Sequence, residues 1–151
     1  MLTVFVYGTL KPGECNHAAY CLPGLWSQRS AWVPGQLFHL PPLGYPGLVD
    51  GPGWVQGVVL QWAGPLVEID RRLALLDGLE DYDPHWAGKA EGPNFYNRQW
   101  RGVYQRDCQG QSHFLTYAWV YVLGRDRVRA LGGVWLPEGV WSARGLGLTA
   151  R

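Results

Sequence analysis

The 151 residues are 47% hydrophobic and 17% charged, a balance that excludes a disordered chain. The 13 lysines and arginines nearly cancel the 12 aspartates and glutamates, so the charge indicates neither nucleic acid nor a membrane surface as a partner. No apolar run is long enough to span a bilayer, and the first residues lack the pattern of a signal peptide. We therefore expect one cytoplasmic domain over residues 1–151.

The first predicted element is a buried strand at about residues 2–7, because Val4–Val6 are β-branched and aromatic. Gly8 ends this strand, and the sequence Lys-Pro-Gly at 11–13 turns the chain. Since Gly8 has no side chain, the backbone after it can approach a ligand, and its amides can surround an anion. The alternative is an ordinary strand that ends in a turn.

Short elements follow up to residue 63. They are a helical turn at 16–21, a strand at 31–40 with a bend or bulge at Gly35, a loop at 41–47, a Gly-Pro-Gly turn at 51–53 and a strand at 54–63. Apolar residues at three- and four-residue spacing then predict a helix over 66–79.

The second half of the chain adds strands. Residues 96–106 and 114–123 are predicted to form a hairpin, with a turn at 107–112, and 134–142 to add a short edge strand. Strands outnumber helices in this order. It predicts an α+β fold with a small, closed or strongly curved, mostly antiparallel sheet and one main helix packed on it.

Glu80 is the first candidate for chemistry, because it lies at or just beyond the end of the apolar helix. A carboxyl that points from there into a pocket has a raised pKa and can shuttle protons near neutral pH. The alternative is a solvated glutamate at a helix end. The flanking Asp77 and Asp81 lack the spacing of a calcium loop.

Other sites are not indicated by the sequence. The three cysteines form no Cys-x-x-Cys motif and the four histidines are scattered, so neither a disulfide framework nor a metal site is predicted. Cys15 and His17 are too close in sequence to align as a nucleophile and its base. The sequence contains no serine-nucleophile, Walker or dinucleotide motif, so no cofactor is expected.

Four segments nevertheless resemble, in order, the gamma-glutamylcyclotransferase-like family. They are Val-Phe-Val-Tyr-Gly-Thr-Leu-Lys-Pro-Gly at 4–13, Gly-Gln-Leu-Phe-His-Leu at 35–40 with Gly-Tyr-Pro-Gly-Leu at 44–48, Val-Gln-Gly-Val-Val-Leu at 55–60, and Leu-Asp-Gly-Leu-Glu at 76–80 with Tyr-Asn-Arg at 96–98. Together they cover about residues 3–122 and leave 124–151 as a C-terminal extension. Each is weak alone, but their number and order make the resemblance specific.

The resemblance implies a small β-barrel with flanking helices and an enzyme that releases 5-oxoproline from a small γ-glutamyl compound. The substrate's own α-amine attacks its γ-carbonyl, with Glu80 as general acid and base. The substrate and the developing oxyanion are then held by backbone groups of Tyr7, Gly8, Thr9 and Leu10. Tyr96 is expected to reach the ligand, whereas Arg98 is expected to pair with an acid.

Some points stay open at this stage. Asp81 stands where many family members have glycine, and residues 81–95 form either a loop over the pocket mouth or a plain surface excursion. The chain could instead be a non-catalytic module that binds a small metabolite in the same pocket, or an interaction protein with exposed tryptophans. Glutathione, γ-glutamyl amino acids, γ-glutamyl amines and carrier-linked γ-glutamyl groups all remain candidate substrates, and no oligomeric state is predicted.

Overall fold

The computed structural model describes residues 1–87 and 94–148. The strands are β1 (Leu2–Val6), β2 (Leu25–Leu40), β3 (Tyr45–Trp62), β4 (Asn97–Arg106), β5 (Ser112–Val122) and β6 (Val134–Leu136). The helices are α1 (His17–Cys21), α2 (Leu66–Leu79) and α3 (Arg125–Ala130), with a short 3-10 turn at Pro84–Trp86. In this part of the chain, no helix has the length and apolar character needed to cross a membrane.

The fold is α+β, with one six-stranded mixed sheet and few helices. The strands lie in the order β3-β1-β5-β4-β2-β6, and β3 pairs with β2 as well. All pairs are antiparallel except β1 and β5, which meet in parallel through Val4 and Trp119. The predicted hairpin of β4 and β5 is confirmed, and the edge strand predicted at 134–142 is present only over its first three residues, as β6.

The predicted helix over residues 66–79 is confirmed as α2 with the same bounds. Its apolar face is not buried along its whole length. Leu66, at the start of the helix, is 77% exposed, whereas Leu76, near its end, is fully buried. The expectation of one main helix was too simple. The helix α3 was not predicted, and it also packs on the core through Val128.

The predictions for residues 41–53 were partly wrong. The loop predicted at 41–47 ends earlier, because β3 begins at Tyr45, and the turn predicted at 51–53 is an irregularity inside β3. The bend predicted at Gly35 lies opposite this irregularity, where the register of β2 and β3 shifts. Gly35 has a φ of +150°, and a Cβ there would lie 2.9 Å from the carbonyl oxygen of Val49. The long strand pair continues past its glycines because the extra residues are accommodated as a bulge.

The strand β1 is buried on both faces, which explains its continuous apolar sequence. Val4 and Val6 pack in a core cluster together with Leu76 of α2, whereas Phe5 packs in a second cluster formed mainly by strand residues. A strand that is held from both sides has little freedom to shift. The residues that follow its end therefore lie at a defined position.

Three aromatic side chains on the hairpin of β4 and β5 are about half exposed: Trp100, Phe114 and Tyr117. The ring centroids lie 6.2 Å apart for Trp100 and Tyr117, and 5.0 Å apart for Phe114 and Tyr117. This is the kind of exposed surface that the alternative of an interaction protein requires, and the alternative stays a prediction.

Candidate active site

A narrow pocket lies where β1 ends. It is lined by Phe5, Val6, Tyr7, Gly8, Thr9, Leu10, Tyr45, Pro46, Glu80, Tyr96 and Tyr121. The structure thus brings all six residues singled out from the sequence to one place. The pocket has a volume of about 30 Å³, room for about one or two water molecules.

The loop after β1 lies tightly against β3. A Cβ on Gly8 would stand 2.8 Å from Cγ of Pro46, so only glycine allows this approach. Thr9 is held by Asn16, whose backbone N–H donates to the Thr9 carbonyl at 2.9 Å. The carbonyl of Leu10 lies 2.8 Å from the ring Nδ1 of His17. These contacts hold the loop in place from both sides.

The backbone amides of this loop are available to a ligand. Within residues 1–87 and 94–148, the N–H groups of Gly8, Thr9 and Leu10 donate no hydrogen bond. Amides without a partner at the wall of a pocket can bind a carboxylate or a developing oxyanion.

Glu80 caps the C-terminal end of α2, and Asp81 follows it with a φ of +53°. The amide of Tyr82 donates to the carbonyl of Asp77 at 2.9 Å, which closes the last turn of the helix in the pattern typical of a left-handed cap. Glycine adopts this backbone conformation most easily, and here an aspartate adopts it. The cap turns the chain sharply and leaves Glu80 at the pocket.

The carboxyl of Glu80 is electrostatically unusual. Burial, with a smaller contribution from the nearby charge of Asp77, raises its pKa to about 8. Glu80 as a whole residue keeps partial solvent exposure, and its carboxyl makes no hydrogen bond in the described part of the chain. It is therefore surrounded by protein yet free to meet a ligand, and it changes protonation state near neutral pH.

Two of the four pocket tyrosines, Tyr7 and Tyr96, donate their hydroxyl protons to backbone carbonyls. Tyr7 donates to the carbonyl of Tyr121 at 2.6 Å and accepts from the amide of Leu48 at 3.3 Å. Tyr96 donates to the carbonyl of Pro46 at 2.5 Å. Burial raises the pKa of both phenols, so they stay neutral. Their rings form walls of the pocket, and their hydroxyls can only accept further hydrogen bonds.

A buried polar network behind Glu80 was not predicted as such. Asp77 accepts a hydrogen bond from the hydroxyl of Tyr121 at 2.7 Å and pairs with Arg98 at 3.0 Å. The guanidinium of Arg98 lies over the ring of Trp119, 4.5 Å from its centroid. The expected pairing of Arg98 with an acid is thus observed. The spacing of Asp77 and Glu80, one helical turn apart, was the available signal for Asp77, whereas nothing local in the sequence indicated Tyr121.

The segment after Glu80 is tied down at its base. The amide of Tyr96 donates to the carbonyl of Glu80 at 3.4 Å, and the side-chain oxygen of Asn94 accepts from the amide of Asp83 at 2.7 Å. Residues 88–93, which belong to the loop predicted at 81–95, lie outside the described residues. The predicted role of this loop over the pocket mouth stays a prediction.

The chain is similar to proteins of known family and structure. The family model "Gamma-glutamyl cyclotransferase, AIG2-like" matches residues 4–143. No curated protein matches the chain.

Several solved structures are similar in fold. An AIG2-like protein from Mus musculus has 22% identity and a TM-score of 0.65, with 100% of this chain and 95% of that chain covered. YkqA from Bacillus subtilis has 20% identity and a TM-score of 0.60, with 93% of this chain but only 39% of that longer chain covered. The uropathogenic E. coli-specific protein c4763 has 16% identity and a TM-score of 0.58, with 97% and 98% covered. Because the family model extends over nearly the whole sequence, the chain belongs to the gamma-glutamyl cyclotransferase, AIG2-like family.

Proposed function

We propose that the protein is a γ-glutamyl cyclotransferase that releases 5-oxoproline from a small γ-glutamyl compound. The observation that carries this proposal is the position of Glu80, whose carboxyl has a pKa near neutrality and lines one pocket with the unpaired amides of Gly8, Thr9 and Leu10. Family membership points to the same reaction.

In the proposed reaction, the α-amine nitrogen of the γ-glutamyl group forms a bond to the γ-carbonyl carbon. Glu80 accepts a proton from this amine and delivers it to the nitrogen of the leaving amine as the original carbon–nitrogen bond breaks. The products are 5-oxoproline and the free amine. The protein supplies no nucleophile, because the substrate attacks itself.

The remaining task of the site is to hold the substrate folded and to stabilise charge. A well-oriented intramolecular reaction can gain about 7–11 kcal/mol from positioning alone. The free amides of Gly8, Thr9 and Leu10 are proposed to donate to the oxyanion that develops on the γ-carbonyl oxygen. The loop contacts to Asn16 and His17 keep these donors in place before the substrate arrives.

We also propose that the sheet is a closed barrel in a single domain. Five strands, β1 to β5, each pair with at least two neighbours, which supports closure. The unpaired cysteines support the cytoplasm as the site of action.

Replacement of Glu80 by glutamine tests the proposal. Glu80→Gln removes the proton shuttle and keeps the shape, so we expect release of 5-oxoproline to fall by at least about 100-fold. The thermal melting temperature at about pH 4 is expected to change little, because Glu80 is largely protonated there in both the folded and the unfolded chain, and glutamine resembles the protonated acid. Between pH 4.5 and about 8 the unfolded wild-type chain ionises this glutamate while the folded protein holds it protonated, so wild type loses stability over this range and levels off above it, whereas the variant does not.

The matched control is Glu68→Gln, which makes the same change at an exposed position in the first turn of α2. This variant should keep full activity. If Glu80→Gln still releases 5-oxoproline at the wild-type rate, Glu80 has no part in the reaction. If wild type binds γ-glutamyl compounds in a thermal-shift assay but releases no product, the alternative of a non-catalytic binding module replaces the enzyme.

A further inference from the structure

A second, larger groove adjoins the candidate pocket. Thr9 and Tyr45 line both spaces, so the two lie next to each other at these residues. The groove has a volume of about 720 Å³, against about 30 Å³ for the pocket. One side of it is formed by residues 13–16 of the loop after β1, and another by residues 141–148 of the C-terminal segment.

The C-terminal wall of this groove is a built part of the fold. Trp141 is buried, its indole Nε1 donates to Nδ1 of His39 at 3.1 Å, and its carbonyl accepts from the ammonium of Lys11. The amide of Leu148 donates to the carbonyl of Ala143 at 2.8 Å, which folds the segment into a compact turn. The groove is therefore held open between two fixed walls.

The groove is lined by one positively charged side chain, and this charge has no partner among the described residues. The side chain of Arg144 is exposed and forms no hydrogen bond or ion pair with any of the residues that the structure describes. The acid on the opposite wall, Glu14, is already occupied, because its carboxylate accepts from the amide of Ala143 at 3.4 Å and lies near the charge of Lys11. The groove therefore offers a free guanidinium, the group best suited to bind a carboxylate.

We infer that this groove holds the leaving amine of the substrate, and that Arg144 favours leaving amines that carry a carboxylate. This inference rests on the proposed function, since it assigns the part of the substrate beyond the bond that breaks. The pocket has room for only about one or two water-sized groups, so most of the substrate must occupy adjoining space. The groove, which shares Thr9 and Tyr45 with the pocket, is the adjoining space.

The kinetic test compares two substrates that differ by one carboxylate. γ-Glutamylglycine has a carboxylate on its leaving amine, and γ-glutamylmethylamine does not. Arg144→Gln should raise KM for γ-glutamylglycine roughly fivefold, the effect of losing about 1 kcal/mol at an exposed ion pair. KM for γ-glutamylmethylamine should stay within about twofold of the wild-type value. Arg129→Gln, which removes an exposed arginine outside the groove, is the control for net charge and should change neither value.

The binding test uses the groove's own cysteine. Cys15 lines the groove and is exposed, Cys108 is exposed in the turn between β4 and β5, and Cys21 is buried. In the Glu80→Gln variant, which should bind without consuming substrate, γ-glutamylglycine is expected to slow alkylation of Cys15 by iodoacetamide. The alkylation rate of Cys108 should not change. γ-Glutamylmethylamine at the same concentration should protect Cys15 less.

The outcomes separate the two proposals. Equal KM changes for both substrates in Arg144→Gln, or no protection of Cys15 by γ-glutamylglycine, would overturn the inference about the groove. If wild type releases 5-oxoproline from neither compound, the proposed function fails. Protection of Cys15 by γ-glutamylglycine, with weaker protection by γ-glutamylmethylamine, would then still support carboxylate binding in the groove.

Discussion

At the scale of single residues, the behaviour of Glu80 depends on its surroundings. The groups that face it from the neighbouring elements are three tyrosines, Tyr7, Tyr96 and Tyr121, which stay neutral because burial raises their pKa. The charged groups nearby are Asp77, on the same helix, and Arg98, which pairs with Asp77 from β4. The charge of Asp77 adds to the effect of burial, so the pKa of Glu80 rises to about 8.

A change at Asp77 should therefore move the pH dependence of the reaction. In wild type, kcat/KM should rise with pH and level off above about 8, because the ionised form of Glu80 accepts the proton. Asp77→Asn removes a negative charge and leaves the positive charge of Arg98 behind, and both effects lower the pKa of Glu80. We expect the rising limb to move to lower pH by on the order of one unit.

The measurement is a pH profile of kcat/KM with the same substrate for both proteins, since the titration of the substrate amine then cancels. Asp77→Asn should also lose stability, because Arg98 is left buried without its partner. A purely structural role for Asp77 predicts a lower rate with an unshifted limb, and that result would contradict our account.

At the scale of secondary structure, the end of α2 is the element that brings Glu80 to the pocket. The helix closes with a left-handed residue, and this residue is Asp81 rather than glycine. An aspartate adopts this conformation more easily than most residues, but at a higher free-energy cost than glycine. The chain therefore carries a small local strain beside its candidate site.

Glycine at this position should relieve the strain. We expect Asp81→Gly to raise the free energy of unfolding by about 0.5 kcal/mol, since the relief of roughly 1–2 kcal/mol exceeds the greater entropy that glycine loses on folding. Asp81→Ala, which cannot form the local hydrogen bonds of aspartate, should lower it. Urea unfolding of the two variants beside wild type measures both. If glycine and alanine shift stability in the same direction, the strain is not the cause.

At the scale of the whole molecule, the chain's last described segment is joined to its first loop. Trp141 packs in the core with strand residues, and it is bonded to His39 of β2 and to Lys11 just after the pocket loop. The pocket and the groove beside it consequently depend on contacts between residues more than a hundred positions apart in sequence. Loss of Trp141 should affect both stability and the groove.

Two substitutions separate the packing of Trp141 from its hydrogen bond. Trp141→Ala should lower the free energy of unfolding by about 3–5 kcal/mol, because it leaves a cavity in a fully buried place. Trp141→Phe keeps an aromatic ring and loses the bond from the indole to His39, so we expect a smaller loss of about 1–2 kcal/mol. Chemical denaturation provides both values. Equal losses of unfolding free energy in the two variants would mean that packing is not the main contribution of Trp141 to stability.

Local patterns were enough to predict the parts whose structure depends on near neighbours. The continuous apolar run at Val4–Val6 predicted a buried strand, the three- and four-residue spacing predicted α2 with its bounds, and the hairpin of β4 and β5 followed from two strands around a turn. One prediction that failed, the turn at 51–53, also used local signals. The glycines there are accommodated by a long pairing with β2, and no local signal indicates how far a strand pair extends.

The sequence by itself determined that Glu80 follows an apolar helix and that a glycine-bearing loop follows a buried strand, because spacing and backbone freedom are properties of neighbouring residues. Only the tertiary structure decided that these two ends line one pocket. It also decided that Asp77 meets Tyr121 and Arg98, and that the C-terminal segment forms the wall of a groove beside the pocket. Such contacts arise when distant segments pack to bury apolar surface, and that packing depends on the whole chain at once.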